Sequence, residues 1–267
     1  MKKIILGFIF VGATLLRAEA RLGLELLPKS RPFRLTFTDP RELRMGLSFQ
    51  GNSQIHAAIG NYFSLFGIRS SETELEKKPT VFHMGLEGAG YFTMRQADKR
   101  FPLETADGLI GVYFEGASGP WQGQLRATHV SAHLADGSSG TPIAYSREFL
   151  VLRGAYVPNE DLQVYGGIHY LVNTVPIVNP WTLQLGGNYF LPLSYPLVPF
   201  LGFDLKWKEE ASANPSFQFM FGLALNNPPS AFESFRFYYS YFTGTDPRGQ
   251  FYNQVTTAHS VGIDMQI

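Results

Sequence analysis

The chain of 267 residues contains no cysteine, and only 16% of its residues are charged. The first absence excludes disulfide scaffolds, thiol nucleophiles and cysteine-ligated zinc or iron–sulfur sites. The second sets it apart from an average soluble protein, in which roughly a quarter of residues are charged. Nor does one sign dominate: 22 Lys and Arg stand against 22 Asp and Glu. Phosphate recognition needs a basic surplus, so a nucleic-acid partner is not expected. What the chain has in quantity is aromatic residues (15%), 27 Gly and 17 Pro. That mixture suits a β-rich protein with much apolar surface.

The first twenty residues read as an export signal. Lys2 and Lys3 precede an apolar run from Ile4 to Leu16, and Ala18-Glu19-Ala20 has the small-x-small form of a cleavage site. Residues 1–20 are therefore assigned to a signal peptide. No later stretch has the length and apolarity of a membrane helix. Alternation recurs instead. Phe217, Phe219, Phe221, Leu223 and Leu225 share one parity; Leu201, Phe203, Leu205 and Trp207 alternate with Gly202, Asp204, Lys206 and Lys208. A period of two means strands with one apolar face. In an outer-membrane barrel that face meets lipid, and polar groups such as Glu87, Glu115, Arg126, Arg153, Asp204, Lys206 and Arg236 pair or meet water inside.

The expected fold is thus all-β: an antiparallel transmembrane β-barrel of about twelve strands over residues 44–267, in a bacterial outer membrane. Strands are expected near 44–50, 54–66, 81–94, 107–115, 121–134, 147–157, 162–173, 181–191, 198–208, 216–225, 234–243 and 257–267, with short periplasmic turns and longer external loops. Residues 21–43 carry Pro28, Pro32 and Pro40 and are expected to be a strand-free plug or periplasmic arm. The partners implied are membrane lipid or lipopolysaccharide and the outer-membrane assembly machinery. Asp39-Pro40-Arg41 recurs as Asp246-Pro247-Arg248; Asp-Pro is a turn signal, and no duplication is inferred.

Chemistry concentrates in strand 121–134. Its apolar parity begins Trp121, Gly123, Leu125, Ala127 and turns polar at His129, Ser131 and His133. An imidazole beside a serine hydroxyl on one face is the minimum of an activated nucleophile. Counting back on the apolar parity of the next strand, through Leu152 and Leu150, brings Glu148 to the same face, where it could orient His129. The candidate catalytic residues are Ser131 as nucleophile, His129 as general base and Glu148 as orienter. If the parity is inverted, all three point into the barrel and the lipid-facing site is lost. His129 and His133 lie about 13 Å apart along a strand, too far to share one metal ion. A non-catalytic structural barrel, with these residues as a polar belt bonded to a loop or lipopolysaccharide, and a narrow pore for small solutes are the alternatives.

At His129-Val130-Ser131 the sequence resembles outer-membrane phospholipase A, a twelve-stranded barrel with His-x-Ser on an outward face and an Asn orienter. It also resembles lipid A deacylase, whose orienter is a Glu, as Glu148 would be here. Ala132 follows the serine where those families tend to have Asn. The cofactor is left open: calcium follows only from the phospholipase resemblance, and no calcium site is traceable. Over most of its length the chain resembles a bacterial outer-membrane family known as a domain of unknown function. Phe37-Thr38-Asp39-Pro40-Arg41, His129 to Asp136, Tyr145 to Glu148 and Gly249 to Tyr252 carry that resemblance, which implies the barrel and no activity.

Overall fold

The computed structural model describes residues 22–51, 53–70, 79–193, 196–211, 215–225 and 235–265; the expected signal peptide lies outside them. Thirteen strands follow one another: β1 (Leu22–Leu26), β2 (Met45–Gln50), β3 (Gln54–Ser70), β4 (Val81–Arg95), β5 (Leu103–Ser118), β6 (Trp121–Leu134), β7 (Ser146–Tyr156), β8 (Leu162–Val175), β9 (Trp181–Phe190), β10 (Leu197–Lys208), β11 (Pro215–Leu225), β12 (Phe235–Thr245) and β13 (Val255–Met265). From β2 onward each pairs antiparallel with its sequence neighbours, and β13 returns to β2, closing a twelve-stranded barrel. Only two short 3-10 turns, Glu209–Ala211 and Gly249–Phe251, are helical among the described residues.

The alternation explains the closure. Leu125, Leu152, Leu183, Phe221, Phe237 and Val261 point outward and are exposed, while the intervening residues are buried inside. Aromatic pairs mark both rims: Trp121 with Tyr156 near one turn, and Tyr170 with Trp181 toward the opposite end. An apolar outer band between aromatic girdles is what a bilayer requires of a barrel. The band is uncovered in water, and it makes this an outer-membrane protein.

Two expectations need correction. Residues 21–43 are not strand-free, because β1 opens them. Leu22, Leu24 and Leu26 alternate with Gly23 and Glu25, so the segment adds to the edge of β3 at Phe66–Ser70, below the reach of β2. The same pairing carries β3 past residue 66. Loop lengths are also less asymmetric than expected: the connection from Gln50 to Gln54 is short, and that from Ser70 to Val81, at the other end, is long.

After β1 the chain leaves the wall. Leu27 N–H bonds Leu65 O, and the chain rejoins where Gly60 N–H bonds Arg44 O. Between these points residues 28–44 lie inside the lumen. Three apolar side chains of this plug each anchor a small core. Phe33 packs with Ala155 and Tyr165; Phe37 with Phe190, Phe200 and Met220; Leu43 with Tyr62, Leu109 and Val130. From the opposite end the loop 246–254 folds inward as a cap. Gln250 spans Ala132 O and Ile143 O, and Gly249 N–H bonds Asp107. Asp107 also accepts from Arg41, so one carboxylate ties plug to cap. The two Asp-Pro-Arg segments form alike turns: Asp39 accepts from Arg41 N–H and Asp246 from Arg248 N–H, each at 2.9 Å.

Candidate functional site

Inside the barrel, charges are paired. Arg126 donates to Glu87 at 2.7 Å, and Glu87 reaches it across Gly111, where a Cβ would stand 2.6 Å from its carboxylate. Arg153 donates to Asp39 and Glu42 of the plug; Lys206 meets Asp39 and Asp204; Arg236 donates to Asp264. Burial pushes the Asp39 carboxyl up, but Lys206 and Arg153 outweigh it and hold the group well below the usual carboxylate range. Glu42 behaves alike: burial raises it, and Arg153 and Arg126 bring it down to about 2.

Outside, a polar patch on β6 and β7 interrupts the apolar band. On β6 the even-numbered residues from Gln124 to Ala132 are buried, so His129, Ser131 and His133 face outward. Register puts His129 opposite Glu148 and Ser131 opposite Ser146 on β7. His129 Nδ1 and Glu148 Oε1 are 2.7 Å apart, with side chains 43% and 38% exposed, so the pair is bonded and reachable. Ser146 Oγ also donates to Glu148, at 3.3 Å. Ser131 stands beside His129 on the same face, one side-chain repeat of about 7 Å along the strand. Its hydroxyl has no hydrogen bond among the described residues and lies toward Gly108 of β5. In the neutral imidazole the bond at Nδ1 places the proton there and leaves Nε2 as the nitrogen with a free lone pair. Arg147 and Arg153 of the same strand point inward.

One outward residue is invisible to the alternation. A register shift between Glu148 and Phe149 leaves Val172 as an extra residue on β8 and sets Asn173 directly opposite Glu148. A bulge reverses parity, so Asn173 shares the face of Glu148. Only the pairing reveals it. Among the described residues no three His, Asp or Glu are grouped to hold one metal ion. The patch's one carboxylate is engaged with His129, so the patch does not offer a ligand set for calcium.

Barrel, plug and outward patch define a transmembrane β-barrel of the bacterial outer-membrane type with an occupied lumen. Among solved structures it is similar to the outer membrane phospholipase A from Escherichia coli, at 12% identity and a TM-score of 0.53, over 89% of this chain and 92% of that one. It is also similar to the KdgM porin, at 11% identity and a TM-score of 0.47, over 84% and 98%. At such identities the likeness is one of fold. No curated protein matches. Residues 16–266 match the family described as protein of unknown function (DUF1207), and the chain belongs to that family.

Proposed function

We propose that this protein hydrolyses acyl esters of membrane lipids at Ser131. The observation that carries the reading is the 2.7 Å bond between His129 and Glu148 on the lipid-facing side, with Ser131 beside it. Polar and charged groups on that face oppose insertion, and folding has no need of them there. A hydrogen-bonded histidine–carboxylate pair next to a serine is what acyl transfer requires.

In the proposed reaction Ser131 Oγ rotates toward His129 and attacks the acyl carbonyl carbon while Nε2 takes its proton. Glu148 holds the imidazolium through Nδ1. As the ester C–O bond breaks, Nε2 returns the proton to the departing alkoxide, leaving an acyl-serine. Water, deprotonated by the same nitrogen, then releases the fatty acid and restores Ser131. Phospholipid and the acyl esters of lipopolysaccharide are the substrates that reach this height of the barrel.

The test is fatty-acid release by folded protein in mixed micelles of phospholipid or lipopolysaccharide, with calcium or with chelator. Release by wild type that disappears in Ser131→Ala supports the reading. No release from either substrate by folded wild type, under both conditions, overturns it. A narrow pore is the competing reading. Plug and cap, bonded to each other through Asp107, speak against a permanently open one, and stepwise conductance in a planar bilayer would favour it.

A further inference from the structure

The lumen retains a cavity of about 130 Å³ between the inner face of β5–β10, the plug and the cap. That is room for several water molecules, and hence for a tetrahedral anion. Its lining is chemically lopsided. Arg41, Arg126, Arg147, Arg153, Lys206 and Lys208 contribute to it, against two carboxylates, Asp39 and Glu210. The other carboxylates that pair with these cations, Glu42, Glu87, Asp107 and Asp204, are not part of its wall.

Three of the cations have unused donors. Arg147 is only 2% exposed, yet its Nε has no partner among the described residues. Its Nη1 reaches only backbone oxygens, those of Ser146 and Pro176, and its Nη2 lies 3.5 Å from Glu210. Lys208 Nζ is 3.9 Å from that same carboxylate, beyond a hydrogen bond. Arg126 bonds through Nε alone among the described residues. One carboxylate thus serves two cations loosely, and some of the five N–H donors of each Arg and of the three of Lys208 are left without a partner among the described residues. The facing wall, Leu109, Val130 and Val151, is apolar and lowers the local dielectric. Tyr145 and Tyr252 stack near the Arg147 guanidinium, at 4.4 and 5.2 Å, and hold it in place.

We propose that this chamber binds one small oxyanion, of the phosphate, sulfate or carboxylate class, between Arg147, Lys208 and Arg126. A planar guanidinium matches two oxygens of such an ion, and a buried donor without a partner gains most from it. The site is lumenal and separate from the outward Ser131 patch, so it stands whether or not the protein is a hydrolase.

The test is equilibrium dialysis of labelled inorganic phosphate against the full mature chain in maltoside micelles, with folding checked by heat-modifiable electrophoretic mobility. Wild type is expected to bind one phosphate per chain, displaced by sulfate. Arg147→Gln and Lys208→Gln should each weaken binding about tenfold or more, the effect of one charge-assisted hydrogen bond. Lys208→Gln removes only a long contact and should fold. Lys29→Gln, an exposed cation at the far end, should bind as wild type does. Absence of saturable binding by folded wild type overturns the proposal, as does unchanged binding by Lys208→Gln. Displacement by phosphatidic acid in the micelle but not by sulfate would assign the site to a lipid headgroup and equally overturn it.

Discussion

Two serine–histidine neighbourhoods of the barrel, one inside and one outside, differ instructively. Inside, Ser64 of β3 lies 3.4 Å from His83 Nδ1 on β4 and 2.8 Å from the Tyr113 hydroxyl. Outside, Ser131 stands beside His129 without a bond to it. By serine–histidine distance alone the inner pair looks the better dyad. Yet His83 is 3% exposed, its Nε2 is buried without a partner among the described residues, and Ser64 is shared with a tyrosine. The outer histidine has a carboxylate on one ring nitrogen, shares its strand face with the serine, and is exposed on the outer side. Burial explains the first cluster as structure; the second is exposed on a face where polar groups work against insertion, which is what the proposed chemistry accounts for. Access and an oriented base mark a site better than one short distance does.

The sharpest way to break this comparison is to remove each hydroxyl. Ser131→Ala should lower acyl release by roughly four orders of magnitude or more, as loss of a nucleophile does. Ser64→Ala should leave release within about twofold. A substantial loss in Ser64→Ala, with folding intact, would exchange the two assignments. Glu148→Gln comes next. It should lower release by roughly 10²- to 10⁴-fold, without reducing the urea midpoint of unfolding.

The interior should answer oppositely. Asp39→Asn leaves Lys206 and Arg153 under-compensated in the lumen and should cost about 3–5 kcal/mol, measured by urea unfolding followed by tryptophan fluorescence. Acid should act on the same groups. Asp39 and Glu42 are lowered in the folded protein, so their stabilisation is complete above the ordinary carboxylate range near pH 4. It is lost as pH falls through their folded values, about 2 for Glu42. A plug held this way should become protease-accessible in acid and stay protected at neutral pH. The smallest effect is expected at Asn173. Its replacement by Ala should lower release about tenfold, and Asn173→Asp should not restore it, because a second carboxylate beside Glu148 repels rather than donates.

Much of this was legible in the sequence because period-two patterning is local. Alternation through Trp121, Leu125 and Ala127 fixes which way His129 and Ser131 face, and counting from Leu152 and Leu150 brings Glu148 beside them. What stayed hidden depends on pairing between distant segments. The bulge at Val172 has no composition signal, so the turn of Asn173 toward Glu148 emerges only from the register of β7 with β8. The proline-rich lead does enter the lumen, but β1 escaped notice because five residues alternate too briefly to declare a strand. Arg147 on β7 is brought to one chamber with Lys208 at the end of β10 and Glu210 just after it, and Ser64 meets His83 across a hairpin.

The most direct test of the central claim is to label the folded protein in lipid micelles with a serine-reactive organophosphorus ester and locate the adduct by peptide mass. The account predicts one adduct, on Ser131, that disappears in His129→Ala and is reduced in Glu148→Gln. An unlabelled Ser131 in folded protein, or an adduct on Ser64 instead, would contradict it.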